Sequence, residues 1–181
     1  MLLEETLRKI RAAKARKHIK RGAIVCDIGF GPSIFFLKSI RSSIAKGYGF
    51  YRKINNFKQD NLEVYNSDLE KSIDLPYNTV DTVCLLAVLE HLQHPEDILK
   101  DSHLILKNDG TVIITTPSPA AKSVLDFLAF RLGVLDKKEI SEHLNYFSLD
   151  QLKKILIRLG FKIIKAEYFE LGFNLFVVAQ K

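Results

Sequence analysis

Apolar positions along this chain fall into short continuous runs separated by stretches with helical spacing. Residues 23–28, 47–51, 62–66, 80–86 and 111–116 read as strands, and the unbroken run at 80–86 has the character of a central parallel strand buried on both faces. Between them, Pro32 in a first turn followed by Ile34, Phe35, Leu37, Ile40 and Ile44 predicts a helix. Pro95-Glu96-Asp97 opens another with an acidic first turn, which Gly110 is expected to close. Residues 120–133 are apolar enough for a further helix. Ser148-Leu149-Asp150-Gln151 matches a capping box before Leu152, Ile155, Leu156 and Leu159, with Gly160 as the stop. Residues 161–169 and 175–179, joined by a short loop containing Gly172, predict a closing antiparallel pair. Only about ten polar residues separate the second and third strands, so a helix there is cut to a turn or so.

This alternation predicts an α/β fold: a doubly wound, mostly parallel seven-stranded sheet with an antiparallel last strand, over residues 22–181. Residues 1–21 form a separate leader, a helix with Leu3, Leu7, Ile10 and Ala13 on one face and bases on the rest. That leader holds eight Lys and Arg against two Glu, which accounts for the whole formal charge of +6. The body is therefore neutral, which argues against a nucleic-acid groove spread over the domain. Apolar residues make up 47% of the chain and charged residues 27%, the balance of a globular protein with a real core. No apolar run is long enough to span a bilayer, and the start of the chain lacks a signal-peptide pattern. Cys26 and Cys84 both sit in apolar strands. They form neither a disulfide framework nor a metal knuckle, so the expectation is a cytoplasmic protein with no metal site.

In an open α/β sheet, ligands bind beyond the carboxyl ends of the strands, near the point where strand order reverses. The first strand runs into Asp27-Ile28-Gly29-Phe30-Gly31, where glycines allow close backbone approach. A dinucleotide fingerprint would need a further glycine at Ile34, so the dehydrogenase reading is weak. Asp27 read alone is a helix cap or an organiser of a bound group, and Asp68 is a loop acid or a ligand contact. His91 is a surface histidine or a catalytic one. His143 and Tyr146 either line an acceptor pocket or pack as a lid.

Taken in order, the motifs resemble those of class I S-adenosylmethionine-dependent methyltransferases. Asp27, Gly29 and Gly31 match the pattern at the end of that family's first strand. Asn66-Ser67-Asp68-Leu69, Leu75-Pro76-Tyr77-Asn78-Thr79-Val80-Asp81, Val88-Leu89-Glu90-His91-Leu92, Leu106-Lys107-Asn108-Asp109-Gly110 and Leu159-Gly160-Phe161 follow in the family's sequence. The resemblance covers roughly residues 22–181. It implies S-adenosylmethionine as cofactor, held by Asp27, Gly29, Phe30, Gly31, Tyr51, Asp68, Leu69, Leu86 and Ala87, with Asp68 toward the adenine amino group. His91 and then His143 are the implied general bases, with Glu90 orienting either.

The departures are informative. The acid that the family places at the end of strand two, about 20 residues on, is missing from Phe50-Tyr51-Arg52. Tyr51, Asn55 and Asn56 are the nearest polar replacements. Losing a charge-assisted bidentate contact costs about 2–3 kcal/mol of affinity. Ser33 stands where the family has a third glycine. Leu86-Ala87-Val88-Leu89 replaces the Asn-Pro-Pro-aromatic motif of amide- and nucleobase-nitrogen methylation, which favours a small-molecule or lipid-linked acceptor. The leader is expected to lie across the cofactor cleft, apolar side down, with its bases toward an acidic acceptor. Two other readings stay open: a binding or scaffold protein that retains the fold without turnover, and an RNA-associated methyltransferase.

Overall fold

The computed structural model describes residues 2–29, 31, 33–122 and 143–181. Eight strands form one sheet: β1 (Ile24–Ile28), β2 (Lys46–Tyr51), β3 (Phe57–Gln59), β4 (Leu62–Asn66), β5 (Val80–Leu86), β6 (Leu106–Pro117), β7 (Lys162–Phe169) and β8 (Asn174–Gln180). Their spatial order is β3-β4-β2-β1-β5-β6-β8-β7. The five strands from β4 to β6 are parallel. β3 pairs antiparallel at one edge, and β8 and β7 do so at the other. The chain leaves β1 toward β2 on one side and returns to β5 on the other, so the switch point lies at β1.

Helices cover both faces. α3 (Pro95–Ile105) and α4 (Leu149–Arg158) bury Ile98, Leu99, Ile105, Leu152 and Leu156 with Cys26, Ile28, Phe50 and Leu85. On the opposite face, α1 (Leu2–Arg16) and α2 (Phe35–Ile40) bury Ala12, Ala15, Phe36, Leu37 and Ile40 with Val25, Cys84, Ile113 and Phe176. The Ser148–Gln151 capping box forms with both of its hydrogen bonds.

Several local expectations are corrected. The sheet has eight strands because residues 57–66 make a hairpin where a turn of helix was expected. Asp60 takes a left-handed backbone at its tip, and Asn61 Nδ2 donates to the carbonyls of Arg41 and Ile44. α2 starts at Phe35, since Ile34 sits at φ 44°, outside helical space, and a 3-10 turn at Arg41–Ser43 replaces its last turn. α3 ends at Ile105 and not at Gly110, because fully buried Leu106 already pairs with Val80. Gly110 lies within β6, where a Cβ would come within 2.9 Å of the Lys107 carbonyl oxygen. Among the described side chains of α1 the buried ones are Ala12 and Ala15; of the expected stripe Leu7 is half-buried, Ile10 is 43% exposed and Ala13 is exposed, while the Leu3 side chain lies outside the described residues. Small residues let this helix approach the sheet. Its long bases pack over aromatic rings, Lys14 above Phe169 and Phe176 and Arg8 above Phe35. Beyond Lys122, the expected helix at 120–133 lies outside the described residues.

Glu63 joins three strands. It accepts from the Tyr65 hydroxyl at 2.6 Å and pairs with Lys46 at 3.0 Å and Lys58 at 3.2 Å. The Tyr65 hydroxyl first, then Lys46, hold its carboxyl down to about 2. A depressed folded pKa gives stability that is present above the unfolded value and lost as pH falls through the folded one. With solvent screening discounted, Glu63→Gln is expected to cost about 1 kcal/mol at pH 7 and little near pH 2. Urea melts at the two pH values check this.

Candidate functional site

The carboxyl ends of β1, β2, β4 and β5 build the first half of the site. Asp27, 1% exposed, sits between Gly49 of β2 and Cys84 of β5, and among the described residues its Oδ2 has no hydrogen-bond partner. Burial pushes its carboxyl well up, and likewise the thiols of Cys26 and Cys84, which are free. Gly29 donates its N–H to the Phe50 carbonyl at 2.9 Å and adopts φ +76°. A Cβ there would meet Val88 Cγ2 at 2.5 Å. Gly31, at φ +70°, has no atom of the described residues within 4 Å of its Cβ position, so the described part of the loop is open on that side. Phe30 lies outside the described residues. The next helix does not start directly after Gly31. Ser33 intervenes, accepting from Arg8 at 3.1 Å, and then Ile34, whose left-handed backbone costs on the order of 1–2 kcal/mol. Ile34 is held by burial against Val64, with Tyr51, Ile54 and Phe57 packed around the pair.

Tyr51 ends β2, and its carbonyl accepts the Ser67 N–H at 3.3 Å, which fixes the Asn66–Asp68 turn beside it. Asp68 is exposed, its Oδ1 accepting from the Glu70 N–H at 3.3 Å, and Leu69 packs back on the core. Of the polar replacements for the missing acid, Asn56 is already engaged: its Oδ1 accepts the Asn66 N–H at 2.6 Å. After Leu86, Ala87 turns at φ 60° and donates its N–H to the Thr115 carbonyl at 2.9 Å and hydroxyl at 3.1 Å. This turn carries Val88 beneath Gly29.

The second half lies beyond β5 and β6. Glu90, His91 and His143 come together, with one ligand atom of each within 4.8 Å of the others. The two imidazole centroids are 4.7 Å apart, edge to face. Glu90 is 1% exposed and accepts from the Thr116 hydroxyl at 3.0 Å. Its backbone carbonyl accepts the N–H groups of Leu144 at 2.7 Å and Asn145 at 3.1 Å, which docks the His143 segment onto the β5 turn. His143 Nδ1 lies 3.1 Å from the Tyr146 hydroxyl. Burial raises the Glu90 carboxyl, and burial together with the charges of His91 and Arg11 lowers His143 to about 4. The field of Arg11 also reaches Glu170, whose carboxyl burial raises and whose Oε1 is buried without a partner among the described residues.

The fold thus brings Asp27, Gly29, Gly31, Tyr51, Asp68, Leu86 and Ala87 to one edge of the sheet and pairs His91 with His143. Sequence reasoning missed Thr116, Asn145, Arg11 and Glu170. Their relation to the site depends on β6 and β8 pairing and on how α1 docks, which no local spacing encodes.

The sequence profile of a methyltransferase domain matches residues 3–166. No curated protein matches the sequence. Among solved structures, a methyltransferase of Haloferax volcanii in complex with its methyltransferase activator superposes with a TM-score of 0.76 at 15% identity, over 94% of this chain and 88% of that one. An S-adenosylmethionine-dependent methyltransferase of Mesorhizobium loti gives 0.73 at 16% identity, over 93% and 96%. One from Archaeoglobus fulgidus gives 0.71 at 21% identity, over 99% and 98%. At such identities the structural likeness establishes the fold. Among the described residues, no helix is long and apolar enough to cross a membrane.

Proposed function

The chain belongs to the methyltransferase domain family, and from that premise we propose that it transfers the methyl group of S-adenosylmethionine to a small-molecule or lipid-linked acceptor. The observation that carries this reading is the open glycine loop at the switch point. Gly31 leaves its approach clear, and the unpartnered Asp27 Oδ2 lies at the end of the strand that feeds the loop. Both features fit a bound polar group better than a closed loop. In this reading the backbone at Gly29–Gly31 cradles the cofactor, with Leu69, Leu86 and Ala87 beside it, and exposed Asp68 meets the adenine amino group. Tyr51, at the end of β2, faces the ribose hydroxyls, with Asn55 as the other polar group beside it. The cofactor supplies an already activated methyl group, so the protein's work is to hold the acceptor at near-attack distance and exclude water.

Where the acceptor must lose a proton, His91 and His143 are the groups to take it. Arg8 and Arg11, carried to this edge by α1, support an acidic acceptor. The test is calorimetric titration with S-adenosylhomocysteine, followed by transfer of labelled methyl to a panel of hydroxyl-, amine- and carboxylate-bearing acceptors. Tight binding without transfer to any acceptor would favour a binding protein, the reading that the missing strand-two acid suggests. Tyr51→Phe keeps the ring in its apolar cluster and deletes one hydroxyl. It is expected to weaken binding five- to tenfold, about 1 kcal/mol. Unchanged affinity would remove Tyr51 from the ribose site.

A further inference from the structure

We propose that Glu90, His91 and His143 bind a divalent transition-metal ion, of the zinc or cobalt type, with its remaining coordination positions open toward the acceptor. Two imidazoles and one carboxylate suit such an ion, and three protein ligands with an open fourth position is the arrangement of catalytic rather than structural sites. Their ligand atoms already lie within 4.8 Å of one another. Bonds of about 2.0–2.2 Å need only small rotamer adjustments to close that gap.

The surroundings support the site independently. Metal-ligating histidines usually give their second ring nitrogen to an oxygen partner, and His143 Nδ1 has one in the Tyr146 hydroxyl, which leaves Nε2 for the ion. Glu90 is oriented by the Thr116 hydroxyl through Oε2. Among the described residues no Lys or Arg forms an ion pair with this buried carboxyl, the circumstance in which a coordinated cation offsets burial. The ligands come from separate parts of the chain but are locked together. The Glu90 carbonyl receives two N–H groups from residues 144 and 145, and Asn145 Nδ2 donates to the Leu92 carbonyl at 2.6 Å.

Where the methyl-transfer reading above holds, the ion deepens it. It would fix an acceptor oxygen beside the cofactor and ease loss of that oxygen's proton, work otherwise left to a free imidazole. Metal binding itself does not depend on that reading.

The experiment is titration of the metal-stripped full chain with Co2+, followed by its visible absorption, with Zn2+ as competitor. One ion per chain is expected, with a dissociation constant of about 10 µM or tighter. His91→Ala and His143→Ala should each weaken binding by about 100-fold or more. His103→Ala, whose ring packs on Phe161 away from the site, should leave it unchanged. If either site variant fails to fold, carbethoxylation of the unmodified sequence decides the matter. Zn2+ should protect His91 and His143 while exposed His94 reacts at its metal-free rate. Failure to saturate at millimolar Co2+, full affinity in both site variants, or equal protection of all histidines would overturn the proposal. Binding of S-adenosylhomocysteine with no metal binding would overturn this inference alone.

Discussion

Replacing Gly31 by valine is expected to weaken S-adenosylhomocysteine binding by about 100-fold, or about 2.7 kcal/mol, while the protein stays folded. A Cβ at Gly31 meets no atom of the described residues within 4 Å, so the new side chain would occupy the space that the proposed cofactor site requires. The cost to the free protein is backbone strain at φ +70°, about 1–2 kcal/mol, which shows as a modest drop in Tm. Gly29→Val should behave in the opposite way. Its Cβ would sit 2.5 Å from Val88 Cγ2, so the loss is one of stability, about 3 kcal/mol or more. Gly29→Ala combined with Val88→Ala removes that collision and should recover only part of the stability, since the strain at φ +76° and the space left by buried Val88 remain. Calorimetry beside thermal melts separates the two glycines. A Gly31→Val protein that binds as tightly as the parent would empty the loop of its proposed role.

Asp27→Asn is expected to move stability and binding in opposite directions. The carboxyl is buried, one oxygen lacks a partner, and burial raises its pKa well above the ordinary range. A raised folded pKa means that the folded state holds its proton longer than the unfolded chain, so stability falls as pH rises above about 3.8. The amide carries no such penalty. Asp27→Asn should therefore stabilise the free protein by about 1–2 kcal/mol at pH 7, with the gain vanishing below pH 4. Cofactor affinity should fall by about tenfold or more, since the unpartnered oxygen is what a ligand would satisfy. Melts at pH 4 and 7 with a titration at pH 7 give all three numbers. A destabilised variant would mean that Asp27 holds the fold together on its own account.

Much of this architecture was legible from the chain because strand burial is written in continuous apolar runs. β4 and β5 fall where those runs do, and the α4 capping box is a local hydrogen-bond pattern that needs no tertiary help. What local reading lost was decided by contacts at a distance. Phe57 joins the Ile34–Val64 cluster across the sheet edge, which turns a polar stretch into a strand. The stripe expected on α1 gave way to Ala12 and Ala15 because the sheet beneath it offers Phe169 and Phe176, whose faces receive Lys14. At the site, Gly29, Gly31 and Asp68 could be proposed from the sequence because each lies within a motif at a strand end, and Tyr51 because it stands where that pattern lacks its acid. His91 and His143 were named singly. Their pairing depends on two backbone hydrogen bonds to Glu90 that join residues more than fifty apart.

The order of strands at the antiparallel edge also sets a timetable for synthesis. β8 follows β7 in the chain yet lies between β6 and β7, and β7 pairs with no other described strand. A growing polypeptide therefore releases β7 before β8, the only described strand that pairs with it, with Ile164 and Tyr168 among its solvent-facing side chains. α1, which precedes both strands in the chain, waits as well, because Phe176 and Glu167 complete its seat. Both segments therefore lack part of their native packing until β8 has emerged, the interval in which an unpaired strand edge is open to misassembly.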